Sequence, residues 1–446
     1  MTVHELWVEN YRCFRERQTA RLAPLTLLVG ENSTGKTSFL AMVRALHDID
    51  QGRRPDFKKA PYDLGSFDEV AHFRGGRGGR APSFRAGHVA KERRGRRASQ
   101  DYRLETTFAP RGSAPALEEL SLITDRAWLT ERPASGRLDF GGNGKAWRCD
   151  YRGRSSGNEV RDSDEYVWPR FYSFMRLQGD AVPQGHNDLV PDKLTKELQH
   201  LVMARLPIGE DARVYASAPV RSRPRRTYDP APVNEDAEGS YVPMLLADVF
   251  FRRTKNWESL KRALESFGQQ AGLFDEIRVR ALGKRETEPF QLQVRKHAAS
   301  GTKGPFRNLI DVGYGVSQAL PLLTEIFRAM PNGPSPARTF LLQQPEVHLH
   351  PSAQAALGSL FCELAASGRQ LLVETHSDHL MDRIRMDVRD EKTKLKPEDV
   401  SILYFERGNL DVRIHSLRID GEGNILGAPP GYRQFFMEET NRYLKL

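Results

Sequence analysis

Residues Gly30–Ser38 read GENSTGKTS, and the fold of the whole chain can be argued outward from them. They match the pattern G-x-x-x-x-G-K-T, the P-loop, which binds nucleotide phosphates. The apolar run Leu25–Val29 precedes the pattern, and Phe39–Leu46, which has helical spacing, follows it. The sequence therefore predicts the strand, loop and helix that the pattern requires, and a chance glycine-rich turn is a poor alternative.

The residue types of this stretch suit phosphate chemistry. Gly30 and Gly35 allow the backbone to curl so that its N–H groups face an anion. The helix that starts near Lys36 directs the positive end of its dipole to the same place. Lys36 can reach the β- and γ-phosphates, and the Thr37 hydroxyl can bind Mg²⁺. We predict that the nucleotide contacts all nine residues: Gly30, Glu31, Asn32, Ser33, Thr34, Gly35, Lys36, Thr37 and Ser38.

Length and composition narrow the class of protein. The 446 residues suffice for two or three domains, and 39% of them are hydrophobic. The sequence has no apolar run long enough for a transmembrane helix and no signal peptide, so we expect a cytoplasmic protein without membrane contact. Cys13, Cys149 and Cys362 match no metal or disulfide spacing. The net charge of +9 favours a polyanionic partner such as nucleic acid, and the alternative is a solvated basic surface.

The most basic segment is 74–97, RGGRGGRAPSFRAGHVAKERRGRR. It carries nine Arg or Lys residues against one acid, Glu92. Because Gly and Arg at this density are poor core formers, we predict a mobile surface loop. Two functions stay open for it: it tracks a nucleic-acid backbone, or it is a solvated linker.

The middle of the chain alternates between patterned and loop-like segments. Alternating hydrophobicity predicts strands, and helical spacing predicts a short amphipathic helix and a longer one. The predicted strands are 101–108, 145–152, 275–281 and 289–296; the predicted helices are 190–205 and 241–268; and the segments 111–144 and 153–165 read as loop-rich.

An arginine cluster lies in the segment 214–229, VYASAPVRSRPRRTYD. Its two prolines rule out a regular helix. Arginines on an irregular loop beside a nucleotide site suggest a clamp for phosphate or carboxylate, and the alternative is a hub of structural salt bridges. The four arginines are Arg221, Arg223, Arg225 and Arg226.

The segment 311–323, DVGYGVSQALPLL, offers a second anion-binding end. Gly313, Gly315 and Ser317 come just before an apolar helix predicted over Ala319–Met330. Small residues that cap a helix leave its N–H groups open to an anion. Many helices begin with Gly and Ser, so this stretch is a weak indication when taken alone.

Two further stretches read as buried strands that end in polar groups. TFLLQQPEVHLHP, 339–351, contains a strand over Phe340–Leu342, and QLLVETHSDHL, 370–380, contains another. Open α/β sheets bind ligands at this end of their strands. His376 could therefore contact a γ-phosphate. A metal site of His348, His350 and Glu346 is a weaker alternative, because no further ligand has zinc spacing.

Taken together, these motifs resemble the ABC-type ATPases of the SMC/RecF/OLD group, and most of all the compact bacterial AAA family ATPases in it. The family order is P-loop, signature-like VGYGVSQ at 312–318, Walker B region at 339–346, D-loop-like HLHPSAQ at 348–354 and switch histidine at 376. DLGSFDEVAH lies where the family has its Q-loop, and APVRSRPRRTYD and the final GAPPGYRQFFMEETNRYL also look like family segments.

The resemblance implies an α/β fold, a P-loop NTPase head of the ABC type that binds ATP and Mg²⁺. Residues 1–75 and 300–446 would form the nucleotide-binding lobe, with 76–299 as an inserted β and helical region. It also implies a homodimer or larger homo-oligomer in the ATP state. Each ATP would then lie between the P-loop of one copy and the signature residues of the other: Gly315, Ser317 and Gln318.

One departure from the family concerns its Walker B acids, which are Gln343 and Gln344 in this chain. We expect Gln343 to stand with Thr37 at the metal, but an amide brings no negative charge and cannot act as a general base. Glu346 is the nearest acid that could serve as base. An acid followed by Gln is common in the compact subgroup, whereas Gln343 is either natural or an engineered Glu→Gln substitution. We therefore predict ATP binding with slow or absent hydrolysis, which Gln343→Glu should speed up. The catalytic candidates are Gln343, Gln344, Glu346 and His376.

Three functions are compatible with these features. The first is an ATP-binding switch that controls a separately encoded effector, as the resemblance suggests for bacterial anti-phage defence. The second is a RecF-like DNA-repair ATPase that clamps duplex DNA, which the basic segment 74–97 favours. The third is a nucleotide sensor without catalysis, in which both glutamines are natural.

Overall fold

The structure, a computed structural model, describes residues 2–92, 100–150, 182–184, 189–203, 213–252, 255–331 and 333–432. Its strands are β1 Thr2–Glu9, β2 Gln18–Arg21, β3 Leu25–Gly30, β4 Phe84–Glu92, β5 Gln100–Arg111, β6 Ala114–Ile123, β7 Trp128–Arg132, β8 Arg137–Gly142, β9 Lys145–Asp150, β10 Val182–Gln184, β11 Arg213–Ser217, β12 Glu276–Ala281, β13 Phe290–Arg295, β14 Arg307–Asn308, β15 Ala337–Gln343, β16 Gln370–Glu374, β17 Val400–Gly408, β18 Asp411–Ile419 and β19 Ile425–Leu426. Its α-helices are α1 Lys36–Asp50, α2 Phe67–Val70, α3 Asp192–Met203, α4 Val242–Phe251, α5 Lys255–Gln270, α6 Tyr314–Ala329, α7 Pro351–Ala366 and α8 Asp378–Arg389.

A seven-stranded sheet carries the P-loop, in the order β11-β15-β16-β3-β17-β18-β19. Its first five strands run parallel, and β3 lies between β16 and β17. Leu25, Leu27 and Val29 of β3 pack into one core and Leu28 into the other, as expected for a strand with both faces covered. The predicted α/β fold class with the order strand, P-loop, helix is confirmed.

A nine-stranded antiparallel sheet lies beside it, in the order β10-β9-β8-β7-β6-β5-β4-β1-β2. Strands β6, β7 and β8 occupy most of 111–144, so the prediction of a loop-rich segment there is wrong. Gly112 and Gly144, both at positive φ, mark tight hairpin turns rather than long loops. The loop predicted over 153–165 lies outside the described residues.

The prediction of a mobile loop over 74–97 is wrong for Phe84–Glu92, which form β4 in the interior of this sheet. Phe84, Ala86 and Ala90 are fully buried, whereas Arg85 is exposed. The strand alternation is therefore present, but the high content of Gly and Arg conceals it. Residues 93–97 lie outside the described part of the chain.

A three-stranded sheet, β12-β13-β14, completes the fold together with α4 and α5. The predicted strands 275–281 and 289–296 and the helix predicted over 190–205 are confirmed as β12, β13 and α3. The helix predicted over 241–268 is two helices, α4 and α5. None of the described helices is both long and apolar enough to cross a membrane.

The predicted division of the chain at residue 75 cuts through the nine-stranded sheet. Strand β1 pairs with β2 on one side and with β4 on the other. Strand β11, from the predicted insert, pairs with β15 in the P-loop sheet. Both sheets thus draw strands from the two predicted regions, and the division itself stays a prediction.

Candidate nucleotide-binding site

The P-loop has the glycines that its backbone geometry needs. Gly30 has φ of 139° and Gly35 has φ of 85°, a conformation that side chains disfavour. A Cβ atom on Gly30 would lie 2.5 Å from the carbonyl oxygen of Phe405, and one on Gly35 would lie 2.5 Å from Sγ of Cys13. The loop thus folds tightly onto β17 and the β1–β2 connection, and it presents the N-terminus of α1 to a ligand.

The Lys36 side chain folds back over this loop. Its Nζ donates to the carbonyl oxygens of Gly30 at 2.9 Å and Glu31 at 2.6 Å, and the residue is 3% exposed. Burial lowers the pKa of the Lys36 ammonium, and the negative charges of Glu374 and Glu31 partly oppose that shift. An incoming phosphate can take over this ammonium, since the carbonyl contacts are weaker than a charge-assisted bond to phosphate.

Glu374, the last residue of β16, meets the P-loop directly. Thr37 Oγ1 donates to Glu374 Oε2 at 2.9 Å, and Glu374 is 6% exposed. Burial raises the pKa of the Glu374 carboxyl, while the Thr37 bond and the charge of Lys36 lower it. Sequence reasoning missed this residue, which reads as the end of an apolar strand. The available signal was an acid at the end of a buried strand, two residues before His376.

A cavity of about 460 Å³ opens beside this cluster. Besides P-loop residues and Glu374, its wall includes the Q-loop-like segment 63–72, which contributes Asp68, Glu69 and Ala71. The remaining lining residues are Arg12, Cys13, Phe73 and Arg80. The Arg80 guanidinium lies 4.7 Å from the Phe73 ring centroid. The same cavity therefore offers an aromatic and cationic surface in addition to the P-loop groups that can bind phosphate.

The two glutamines at the end of β15 lie next to Glu374. Gln343 and Glu374 are paired in register, and Gln344 N donates to the Glu374 carbonyl oxygen at 2.8 Å. Gln343 is 4% exposed, and its Nε2 donates to the Ser217 carbonyl oxygen at 3.4 Å. The charge beside Thr37 therefore comes from Glu374 and not from the predicted metal residue Gln343.

The structure brings the predicted base and the predicted switch histidine together. Glu346 Oε1 accepts a 2.8 Å bond from the backbone N–H of His376, and Glu346 is 7% exposed. Burial raises the pKa of Glu346, and its bonds and the charge of Arg221 oppose that shift. Desolvation and the nearby Lys36 lower the pKa of His376, which favours a neutral imidazole at pH 7. The catalytic roles of Glu346 and His376 stay predictions.

The signature-like residues lie at the start of α6, which begins at Tyr314 rather than at the predicted Ala319. Gly315 and Ser317 are thus inside the first turns of the helix and not before it. Ser317 Oγ donates to the Tyr314 carbonyl oxygen at 2.9 Å, and the Ser317 residue is buried. Gly315 leaves no room for a side chain, since its Cβ would lie 2.7 Å from the carbonyl oxygen of His348.

Gln318 makes contacts within its own chain. Its Oε1 accepts from Arg221 N at 2.8 Å, and its Nε2 donates to the Arg221 carbonyl oxygen at 3.1 Å. Gln318 is 2% exposed. Contacts of Gly315, Ser317 and Gln318 with a nucleotide on another copy stay predictions.

The four arginines of the cluster differ in burial and in their partners. Arg221 is 3% exposed and lies near Glu346, and Arg226 forms a two-bond ion pair with Asp311 at 2.6 and 2.9 Å. Arg223 and Arg225 line a cavity of about 650 Å³ that Ser317 also borders. Arg226 thus has a structural partner, whereas the buried Arg221 guanidinium makes no hydrogen bond with the described residues, and the roles of Arg221, Arg223 and Arg225 stay predictions.

The alternative metal site at the D-loop-like segment is not formed. His350 Nδ1 bonds Ser352 Oγ at 2.9 Å, the His348 ring packs 5.8 Å from that of Tyr314, and Glu346 holds His376. Among the described residues, no three His, Cys, Asp or Glu side chains group in a way that could hold a metal ion.

A protein-family comparison decides the relationship. The family described as "AAA domain, putative AbiEii toxin, Type IV TA system" matches residues 25–382. The chain belongs to this family. The predicted resemblance to AAA family ATPases is therefore confirmed. P-loop proteins of this kind bind nucleotide, usually with Mg²⁺.

Solved structures similar to this AAA domain include three SMC heads. The SmcHead bound to the C-winged helix domain of ScpA has 12% identity and a TM-score of 0.44, over 94% of this chain and 98% of that chain. The SMC head domain from Thermotoga maritima has 12% identity and a TM-score of 0.39, over 93% and 99%. The Smc head with an extended coiled coil, bound to the C-terminal domain of ScpA derived from Pyrococcus furiosus, has 10% identity and a TM-score of 0.40, over 99% and 98%. A search of curated proteins gave no match.

Proposed function

We propose that this AAA domain binds Mg²⁺-ATP at its P-loop and acts as a switch whose ATP state is a head-to-tail dimer that controls a separate effector. The observation that carries the proposal is the convergence of Lys36, Thr37 and Glu374 at the N-terminus of α1. The Lys36 ammonium and the positive end of the α1 dipole can both bind phosphate, and the Glu374 carboxylate can bind a metal ion. A nucleotide site needs these groups together. The family description names a putative toxin of a type IV toxin–antitoxin system, which supports a role in bacterial defence.

The residues present suit magnesium. Mg²⁺ prefers oxygen ligands, and it neutralises charge on the β- and γ-phosphates when it is bound. The Thr37 hydroxyl and the buried Glu374 carboxylate, already joined by a hydrogen bond, would hold it. A carboxylate that is 6% exposed needs a positive partner, and a metal provides one.

The surface around the start of α6 supports the dimer. Ile310 is 42% exposed and Tyr314 is 54% exposed, and they flank Gly313 at the helix N-terminus. Large apolar side chains at an open helix end are suited to burial by a second copy whose nucleotide approaches that end. His348, packed against Tyr314, extends the same surface.

Slow hydrolysis is part of the proposal. Gln343 and Gln344 cannot take a proton from an attacking water. Glu346 is the nearest acid, but its carboxylate already accepts the His376 N–H and is buried. A switch that hydrolyses slowly remains dimeric for as long as ATP stays bound.

The test compares the full chain with Lys36→Ala and with Arg53→Ala, which removes an exposed cation just beyond α1. Calorimetry should show ATP binding that Lys36→Ala weakens about 100-fold and Arg53→Ala leaves unchanged. Light scattering after size exclusion should show a doubled mass with Mg²⁺-ATP. A chain that binds no ATP, or binds it without any change in mass, contradicts the proposal.

A second candidate function is binding of duplex DNA. The net charge is +9, and the exposed glycine-rich loop 74–79 carries Arg77. However, Arg74 is paired with Asp411 and Arg80 with Asp68, and the next part of the basic segment is β4. This candidate therefore rests on fewer accessible cations than the sequence suggested.

A further inference from the structure

The strand order puts Glu374 closer to the P-loop strand than Gln343. Strand β16 lies between β3 and β15, so Glu374 pairs with Leu28 on one side and with Gln343 on the other. Paired residues of parallel neighbours project their side chains from the same face of the sheet. A carboxylate at 374 therefore stands one strand nearer to Thr37 than any group at 343.

The contacts of the two side chains agree with this placement. Glu374 Oε2 accepts the Thr37 hydroxyl at 2.9 Å, and its charge acts on Lys36. The Gln343 amide nitrogen instead points to the Ser217 carbonyl oxygen of β11 at 3.4 Å. The Thr37 hydroxyl, which is expected to bind a metal, is therefore already hydrogen-bonded to Glu374. Glu374 belongs to β16, whereas Gln343 belongs to β15.

We propose that Glu374 supplies, from the neighbouring strand, the negative charge that Gln343 lacks, and that it positions Thr37 and retains Mg²⁺ with the nucleotide. This inference rests on the proposed function, since it needs a nucleotide at the P-loop. It makes Glu374 a positioning residue for the metal and explains how the chain keeps a magnesium site despite two glutamines at the end of β15.

The electrostatics of the pocket give Glu374 a second effect. Its cationic neighbour, Lys36, is shared with two backbone carbonyls. When phosphate draws Lys36 away, the buried carboxylate needs another positive partner, and Mg²⁺ fills that need. Free ATP carries no metal and is repelled by the same carboxylate. The wild-type site should therefore discriminate strongly between Mg²⁺-ATP and metal-free ATP.

The experiment titrates the full chain with a fluorescent ATP analogue, once with Mg²⁺ and once with EDTA. We expect Mg²⁺ to strengthen wild-type binding by about tenfold or more, because removing a residue that supports a bound metal typically costs about 10- to 100-fold in metal affinity. Glu374→Gln should reduce that gain to about twofold or less, while binding in EDTA stays equal or becomes tighter because the repulsion is gone. Purely structural damage would weaken binding in both buffers.

Two matched variants complete the design. Glu286→Gln, at an exposed position between β12 and β13, should keep the magnesium gain. Gln343→Glu combined with Glu374→Gln should recover part of the gain that Glu374→Gln loses, because the two positions are paired in register. If circular dichroism shows that Glu374→Gln does not fold, Glu374→Asp takes its place. Its side chain is one methylene shorter, so Mg²⁺ should strengthen its binding of the analogue less than it does in the wild type. A folded Glu374→Gln or Glu374→Asp with the full wild-type gain overturns the inference and leaves ATP binding intact. A wild-type chain that binds no analogue in either buffer overturns the proposed function first, and this inference with it.

Discussion

Thr37 Oγ1 and Glu374 Oε2 are joined by a 2.9 Å hydrogen bond, although the residues lie 337 positions apart. The bond ties the first turn of α1 to the end of β16, so the loop that binds phosphate and the strand that carries acid form one unit. Any ligand that moves Thr37 also changes the environment of Glu374. This coupling gives the site its predicted response to magnesium.

Tyr314→Asp should abolish the ATP-dependent dimer. The change puts a charge on an exposed aromatic at the open end of α6, where a second copy is proposed to cover it. The ATP affinity of the monomer should change by no more than about twofold, because the P-loop is untouched. Size exclusion with light scattering and calorimetry measure the two effects.

Leu282→Asp is the matched control for that prediction. Leu282 is 47% exposed just after β12 and is not part of the proposed surface of Ile310, Tyr314 and His348, so the dimer should survive its replacement. Equal loss of the dimer in both variants would place the interface elsewhere.

Gln344→Glu should raise ATP turnover more than Gln343→Glu. A carboxylate at position 344, which is half-buried and directly follows β15, would add a candidate base, whereas Glu374 already provides a charge beside position 343. We expect wild-type turnover below about 1 s⁻¹ and a gain of about tenfold or more in Gln344→Glu. A phosphate-release assay at saturating Mg²⁺-ATP measures both rates. Wild-type turnover at or above about 1 s⁻¹ would contradict the slow-switch proposal.

Glu276→Gln should destabilise the protein at neutral pH but not in strong acid. Bonds from Arg295, then His297 and Lys303, lower the pKa of Glu276 from 4.5 to about 2. Because the folded-state pKa is below the unfolded value, the stabilisation is complete above pH 4.5 and is lost as the pH falls to about 2. Solvent screening limits the effect at pH 7 to about 1 kcal/mol.

Urea unfolding at several pH values measures this effect. Glu286→Gln, at an exposed position in the turn between β12 and β13, should leave stability unchanged at every pH. A constant gap between Glu276→Gln and wild type from pH 7 to pH 3 would show that packing, and not charge, is responsible.

Arg77→Ala tests the DNA candidate. Deleting the whole basic segment 74–97 would remove β4, an interior strand of the nine-stranded sheet, so replacing a single exposed cation is the better test. If the loop 74–79 contacts phosphate, the slope of log affinity against log salt should fall by about 1. Arg53→Ala serves as the control with the same loss of charge. An unchanged slope, or no duplex binding by the wild type, removes this candidate.

The P-loop was predictable because its pattern encodes local geometry. Gly30 and Gly35 have the positive φ that the spacing implied, and Lys36 starts the helix. Parallel strands with both faces covered are also legible as short apolar runs, as in Leu25–Val29. In each of these cases the necessary information lies within about ten neighbouring residues.

The rest depended on information that is not local. Glu374 matters because β16 is inserted between β3 and β15, and no spacing rule states that order. Strand β4 was hidden because its buried positions include the small residues Ala86, Gly87 and Ala90 rather than large aliphatic ones. Gly87 lies against Trp7, where a Cβ would be 2.8 Å from the indole ring, so its small size serves packing and not flexibility.

The position of β3 between β16 and β17 also affects how the protein is synthesised. Both neighbours of the P-loop strand leave the ribosome more than 300 residues after it, since they begin at Gln370 and Val400. Until then, the nascent chain carries the motif without its supporting strands and without Glu374. The proposed nucleotide site can therefore form only after β16 and β17 have been synthesised. A product truncated before Gln370 would lack Glu374 and both strands that flank β3.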